Sequence, residues 1–326
     1  MIRIVPFMNS VSFSAIIMGA GAIASEYDSP SSSEILTHAH ALSAHPQFSL
    51  TGFYDPDQIK SIEAARKWST QSFLTLSEVP SNIDVIAVSA PTKVHRACFE
   101  EALKLKPRLI ILEKPVAFDS AERNAIVAAA QASQISVVVH YTRRFAPGLS
   151  ELASRIQSNE FGKLQTGNAY YTKGWQNNGS HMMDLLFMLL GTPTRAQSIG
   201  CFVDYSSEDL NHHVVINFGE APVSIFAGRE DRYSEFSLSF LFEFAKIEIS
   251  DFGFRYRIQR VIPDPIFPKY KSLESQGQVI TTELDRSVYF LYDRVAEILN
   301  CSQPNLEGLK SACETENWLD VVRKGI

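Results

Sequence analysis

Over the first 150 residues short apolar runs alternate with amphipathic stretches, the rhythm of repeated strand-helix units. Strands are predicted at 13–18, 50–54, 85–88, 109–112 and 135–139. Helices are predicted at 23–44, with a break at Ser29-Pro30-Ser31-Ser32-Ser33, and at 58–68, 94–105 and 120–132. Strand and helix in this order predict an α/β domain with a doubly wound parallel sheet. Beyond about residue 150 the pattern changes to longer stretches of period two, and 166–173, 196–204, 212–218, 223–228, 237–242 and 246–249 read as mostly antiparallel strands. One helix, 180–190, lies among them, and two more, 284–299 and 306–322, close the chain. The division falls near Pro147-Gly148, giving domains 1–147 and 148–326, with the last helices able to pack back on the first domain. Residues 262–280, rich in Pro, Lys, Ser and Gln, read as a long loop.

Composition narrows the class. A chain of 326 residues with 45% apolar content folds as one large or two medium domains with a sizeable core. Its net charge of -6 is spread without long runs of one sign, which argues against nucleic acid or a membrane surface as the main partner. Cys98, Cys201, Cys301 and Cys313 have no paired short spacing, so neither a zinc site nor a disulfide framework is expected, and a cytoplasmic location fits. Asn9, Ser10, Ser12 and Ser14 interrupt the apolar stretches of residues 1–18, which read as a lead-in to the first strand rather than a signal or spanning segment.

Candidate chemistry begins at Leu109-Ile110-Ile111-Leu112-Glu113-Lys114-Pro115. An apolar run of this kind suits a central parallel strand, and ligands of open α/β sheets bind at the carboxyl ends of such strands. Pro115 biases Lys114 towards an extended conformation and presents its ammonium at the strand tip. The plainer reading is a solvated Glu-Lys pair. Earlier, Gly19-Ala20-Gly21-Ala22-Ile23-Ala24 gives a G-x-G-x-x-A loop after the first strand, where glycines permit a tight turn and close approach of a pyrophosphate. The second strand ends in Asp55, suited to an adenosine ribose, or else a cap or turn aspartate. Its separation from Gly21, about 34 positions, exceeds the usual ~20 and implies an insertion near residue 30. A carboxylate about 4 Å from a 2′-phosphate would be repelled by ~4 kcal/mol at an effective dielectric of 20, so NAD is favoured and NADP requires a basic rescuer such as Lys60.

The glycine loop, Asp55, Ala90-Pro91 followed by His95, Glu113-Lys114-Pro115, Tyr141-Thr142-Arg143-Arg144-Phe145 and Gly179-Ser180-His181-Met182-Met183-Asp184-Leu185-Leu186 occur in this order. The chain thereby resembles the glucose-fructose oxidoreductase / inositol dehydrogenase / MocA (Gfo/Idh/MocA) family, over about residues 13–191. The resemblance implies an N-terminal Rossmann domain and a C-terminal α+β domain whose open, mostly antiparallel sheet mediates homodimers or homotetramers. It also implies nicotinamide-dependent oxidation or reduction of sugars, nucleotide sugars or cyclic polyols. Gly19, Gly21, Ala22, Ile23, Asp55, Ala90, Pro91, His95, Glu113 and Lys114 are its expected cofactor residues. Lys114 resembles the family's active-site lysine and His181 its acid/base histidine. Many relatives carry an aspartate four residues before that histidine; this chain has Asn177, which can neither take a proton nor stabilise an imidazolium by charge.

Alcohol oxidation needs a base near neutrality and a cation beside the oxygen. His181, with an ordinary pKa of about 6.5, meets the first need and Lys114 the second. Asp184, one turn beyond His181, would orient the ring or raise its pKa. Tyr141, Arg144, Trp175, Asn177 and Asp184 are substrate-site candidates, with packing the alternative for Tyr141 and a surface ion pair for Arg144. Tyr170, Tyr171 and Lys173 extend the candidate wall, although strand alternation turns some of them away. Lys173, Arg229, Arg232 and Arg255 are candidate cations for a nucleotide diphosphate. His38, His40, His212 and His213 form no convincing metal set and read as structural, and no metal is expected. A non-catalytic dinucleotide-binding protein of this fold is the alternative in another class, and a hydrolase or lyase using transient redox of a retained NAD is an alternative among enzymes.

Overall fold

The computed structural model describes residues 12–301 and 303–325, so most of the proposed lead-in lies outside the described residues. The chain separates into two compact units. The first comprises the described residues up to His140 together with Val288–Lys310, the second Tyr141–Ser287 with the described residues from Ser311 onward. The division thus falls before, not after, Pro147-Gly148. Pro147 opens a helix, the position at which its missing N–H costs least, and Gly148 lets that helix approach the Thr282 backbone, where a Cβ would lie 2.7 Å from Thr282 Cα.

In the first unit β1 (Phe13–Met18), β2 (Phe48–Tyr54), β3 (Gln71–Phe73), β4 (Val85–Val88), β5 (Leu109–Glu113) and β6 (Ser136–His140) form one parallel sheet in the order β3-β2-β1-β4-β5-β6. This is the Rossmann order. Every residue of β4, β5 and β6 is buried, as expected for central strands covered on both faces. The connecting helices are α1 (His38–Ala44), α2 (Gln58–Lys67), α3 (His95–Lys104) and α4 (Ser120–Ser133). Asp57 caps α2 by accepting from the Ile59 and Lys60 N–H groups, and Asp119 caps α4 by accepting from Glu122 N–H.

The long helix expected over 23–44 is reduced to a single π turn, Ala22–Glu26, followed by irregular chain and the seven-residue α1. Side chains explain the break. The Ser29 hydroxyl bonds those of Ser31 and Ser32, and the Asp28 carboxylate takes the N–H groups of Leu36 and Thr37 and the Thr37 hydroxyl. Such local bonds compete with the helical ladder.

In the second unit α5 (Pro147–Gln157) and α6 (Gly179–Leu190) accompany a nine-stranded sheet: β7 (Leu164–Tyr171), β8 (Arg195–Phe202), β9 (Asn211–Phe218), β10 (Ala221–Ala227), β11 (Phe236–Phe242), β12 (Ala245–Ser250), β13 (Arg255–Pro263), β14 (Lys271–Leu273) and β15 (Gln278–Thr281). Pairing is antiparallel except between β7 and β10. Along β11 the buried Phe236, Leu238, Phe240 and Phe242 alternate with Ser237, Ser239 and Leu241, so one face packs on the core and the other is open. The stretch read as a loop, 262–280, carries β14 and most of β15, both paired on β13. The prolines at 263, 265 and 268 hid this excursion, and Pro263 stands at a strand end where proline is tolerated. Helices α7 (Ser287–Leu299) and α8 (Glu307–Lys324) close the chain. No helix among the described residues is long and apolar enough to cross a membrane. The four cysteines are free thiols.

Candidate active site

The glycine loop follows β1. Gly19 has φ +102, and a Cβ there would lie 2.7 Å from the Ser89 carbonyl oxygen at the end of β4, so no side chain fits. Gly21 differs: a Cβ would meet nothing within 4 Å, because the loop here borders a cleft of about 610 Å³. Gly19, Ala20, Gly21, Ala22, Ile23, Asp55, Lys60, Ala90 and Pro91 line that cleft. The geometry fits a dinucleotide: bare backbone at Gly21, a carboxylate beside the loop, and apolar residues along the wall. Asp55 also shapes the loop, its Oδ2 accepting from Ala20 N–H at 2.8 Å and its Oδ1 from Asp57 N–H at 2.8 Å. A carboxylate has about four acceptor positions, so these two bonds leave lone pairs for a sugar hydroxyl. The π turn after the loop is too short to supply the macrodipole of a full helix, leaving backbone N–H groups as the anion-binding element.

His95 is a brace. Its buried ring faces two carbonyl oxygens, Nε2 on Ala90 at 2.8 Å and Nδ1 on Val116 at 3.3 Å, fixing the Ala90-Pro91 wall from behind instead of lining the cleft. Glu113 also turns inward. Its Oε1 lies 3.0 Å from His38 Nε2 and 2.6 Å from His140 Nδ1, and His38 Nδ1 lies 2.9 Å from the Tyr292 hydroxyl. These bonds hold the Glu113 carboxyl well below the usual carboxylate range against the opposing effect of burial, which in turn pushes the His38 imidazolium down. His38, Glu113 and His140 place one ligand atom each within 4.8 Å of one another, a set whose chemistry suits a divalent cation. The histidines singled out in the sequence do not meet as a group. His40 bonds Asp28, His212 lies on Ser198 and His213 accepts from Ala227 N–H. Lys114 follows Glu113 directly, and its bond to Pro115 is cis.

In the second unit His181 lies in the first turn of α6, half-buried, with the Tyr141 ring edge-on at 5.8 Å between centroids. Tyr141 is buried, and its hydroxyl donates to Glu316 Oε1 at 3.0 Å. Arg144 Nε reaches both Asp184 oxygens, at 2.7 and 2.9 Å, and its NH2 group donates to Ser311 Oγ. Asp184 is 1% exposed, and burial pushes its carboxyl up to about 6 despite Arg144. Trp175 belongs to the core, with its indole N–H on the Leu319 carbonyl, and Tyr171 is buried with its hydroxyl on the His212 backbone. The Gly174–Asn178 segment is a second π turn, whose Gln176 and Asn177 N–H groups both donate to Asp209. Gly174 is obligatory there: φ is +86 and a Cβ would lie 2.1 Å from Asp209 Oδ2.

His140, Tyr292, Asp209 and Glu316 escaped the sequence reading. Only His140 left a signal, since β5 and β6 each end an apolar run in a polar residue and their register pairs Glu113 with His140.

Residues 13–141 match the sequence profile described as an oxidoreductase family with an NAD-binding Rossmann fold, GFO_IDH_MocA. A UDP-N-acetylglucosamine 3-dehydrogenase from Acidithiobacillus ferrooxidans is 25% identical over 115 residues, 35% of this chain and 36% of that protein. Matches to such curated relatives span 24–41% of their own length. Over almost the whole chain the fold is that of an oxidoreductase from Agrobacterium radiobacter in complex with NAD+, L-tartaric acid and magnesium (TM-score 0.74, 13% identity, 96% of each chain). It is also that of a 3-ketoreductase from Actinomadura kijaniata in complex with NADP (TM-score 0.73, 11% identity, 96% of this chain and 97% of that one).

Proposed function

The chain belongs, through its NAD-binding Rossmann domain, to the Gfo/Idh/MocA oxidoreductase family, and on that premise we propose that it oxidises or reduces a secondary alcohol or ketone of a sugar, nucleotide sugar or cyclic polyol. The observation that carries the reading is the cleft at the glycine loop, with open space over Gly21 and the Asp55 carboxylate on its wall. Gly19, Gly21, Ala22 and Ile23 hold the pyrophosphate, Asp55 the adenosine ribose, and Ala90 and Pro91 the wall between. Bound nicotinamide supplies the hydride donor or acceptor. Lys114 stabilises negative charge developing on the substrate oxygen, and His181 takes or returns the hydroxyl proton. Asn177 leaves His181 without the acidic residue four positions upstream. Arg144 and Asp184 support the wall of the site by pairing with each other. A second copy of the chain docks on the open face of the nine-stranded sheet, where Tyr170 and Val279 are exposed.

Titration with NADH and NADPH, followed by nicotinamide fluorescence, tests the cofactor assignment. NADH binds more tightly, and Asp55→Ala narrows the preference by at least about tenfold, within the nearly three decades that ~4 kcal/mol allows. An unchanged ratio removes Asp55 from the ribose site. A panel of sugars and nucleotide sugars, scanned at the absorbance of reduced nicotinamide, then tests turnover. Binding without turnover across the panel favours the second reading, a dinucleotide-binding protein that lost catalysis at Asn177.

A further inference from the structure

Glu113 sits one residue before Lys114, and three elements converge on its side chain. His38 opens α1, His140 ends β6 and Tyr292 lies in α7, all within the first unit. Proton positions in the cluster follow from geometry. An ionised carboxylate only accepts, so His38 carries its proton on Nε2 and His140 on Nδ1. His38 Nδ1 is then bare and accepts the Tyr292 hydroxyl proton. One donor from each neighbour therefore meets one acceptor, and the two imidazoles pack edge-on with ring centroids 5.1 Å apart.

We propose that His38, His140 and Tyr292 are positioning residues for Lys114: they lock the Glu113 carboxylate in one orientation and thereby fix the strand tip that carries the lysine. The proposal rests on the catalytic reading of Lys114 and assigns Glu113 to the lock instead of to the cofactor. Separations of 2.6 and 3.0 Å between nitrogen and oxygen fit N–H···O bonds to an ionised carboxylate. A divalent cation at the same three atoms would displace both protons from the carboxylate. Two strand ends in register, one helix start and one aromatic hydroxyl thus act together as a clamp on the strand tip.

The test reads Lys114 itself, so it needs no substrate. Trace acetylation by acetic anhydride across a pH series, with peptide mass spectrometry, gives the titration midpoint of the Lys114 amine. Removing an imidazole N–H leaves more of the Glu113 charge uncompensated and favours the ammonium. His140→Ala and His38→Ala therefore raise the midpoint by at least about 0.5 pH unit, a threefold change in the amine-to-ammonium ratio.

Amide substitutions discriminate a hydrogen-bond clamp from simple packing. Asparagine places an N–H where Nδ1 was and glutamine where Nε2 was, so His140→Asn and His38→Gln restore the wild-type midpoint, whereas His140→Gln and His38→Asn do not. If the alanine variants fail to fold, these two pairs carry the test. Four midpoints equal to wild type overturn the proposal, as does failure of the matched amides to restore it. Stoichiometric divalent metal in the purified protein, lost in His140→Asn, also overturns it in favour of a cation site. Lys114→Ala is the control on the underlying reading. If it leaves turnover intact, the lysine is not catalytic, and the labelling result still decides whether the clamp exists.

Discussion

The two units carry buried carboxyl groups of opposite character. Glu113, at a strand tip of the first, receives two imidazole N–H bonds on one oxygen and is held well below the usual carboxylate range. Asp184, on α6 of the second, is more deeply buried and is hydrogen-bonded by the Arg144 guanidinium with Arg143 nearby, and burial still raises its carboxyl to about 6. Burial opposes ionisation in both places; what differs is whether the donors around the carboxylate outweigh it. The same contrast holds for the backbone. In the first unit the site is assembled from ends of parallel strands, where geometry follows from topology. In the second the candidate residues come from three segments distant in sequence: the 141–145 turn with Tyr141 and Arg144, the 174–190 stretch with Asn177 and Asp184, and α8 with Glu316.

The sharpest way to break this comparison is at the two glycine turns, and the larger effect belongs to the second unit. Gly174→Ala forces a methyl against the Asp209 carboxylate and places alanine at φ +86. Left-handed backbone costs about 1–2 kcal/mol, and displacing Asp209 from the Gln176 and Asn177 N–H groups costs about 1.5–3 kcal/mol for each charge-assisted bond lost. With the backbone cost and one of the two bonds lost, the expected loss is about 2.5–5 kcal/mol by denaturant titration. A loss below about 1 kcal/mol would mean that the turn is not anchored by Asp209.

Next in size is a pH effect. The folded Asp184 carboxyl titrates at about 6 against 3.8 for the ordinary group. A raised acid pKa means that the folded state binds the proton more tightly than the unfolded chain between these values. This group therefore costs stability above pH 6, and the cost is relieved as pH falls from about 6 to about 4. The difference corresponds to at most about 3 kcal/mol. Asp184→Asn removes that titration, so the stability of wild type relative to the variant should rise on acidification across this window. Glu113 works in the opposite sense and in a lower window. Its depressed pKa contributes stability above about 4.5 that is lost as pH falls further. A difference between wild type and Asp184→Asn that stays constant from pH 6 to 4 would show that Arg144 keeps Asp184 ionised throughout.

This contrast also explains what could be read from the chain. The parallel strands β1, β2, β4, β5 and β6 were legible because each is a short apolar run with no alternative burial, and the glycine loop because turn geometry restricts residue type; the three-residue β3, Gln71-Ser72-Phe73, has no such run and was missed. The antiparallel strands showed through their alternation, but not β13 to β15, where Pro263, Pro265 and Pro268 at and after the end of β13 resemble loop composition and β14 and β15 are only three and four residues long. Helix α5 was hidden because Pro-Gly reads equally as a linker and as a helix start. Trp175 looked like a wall residue and is core, since composition does not tell which face of a turn points inward. Glu316 and Asp209 carried no local pattern at all: Glu316 acts on Tyr141 and Asp209 on Gln176 and Asn177, all far off in sequence, and such partners become visible only when the chain is folded.

The smallest stability effect is expected at the other turn, and it sharpens the comparison most. Gly21 has φ -81 and ψ -161, values open to any residue, and a Cβ there meets no atom within 4 Å. Gly21→Ala should therefore leave stability unchanged or raise it by up to about 1 kcal/mol, because alanine has less conformational freedom to lose on folding. The added methyl projects into the cleft, where the dinucleotide backbone must approach the loop closely, so NADH affinity should fall by at least about tenfold, or about 1.4 kcal/mol. Denaturant titration and NADH fluorescence on the same variant read the two effects separately. Loss of stability with affinity retained would place Gly21 among the structural glycines alongside Gly19 and Gly174. Affinity lost with stability retained separates a glycine kept for its ligand from one kept for its fold.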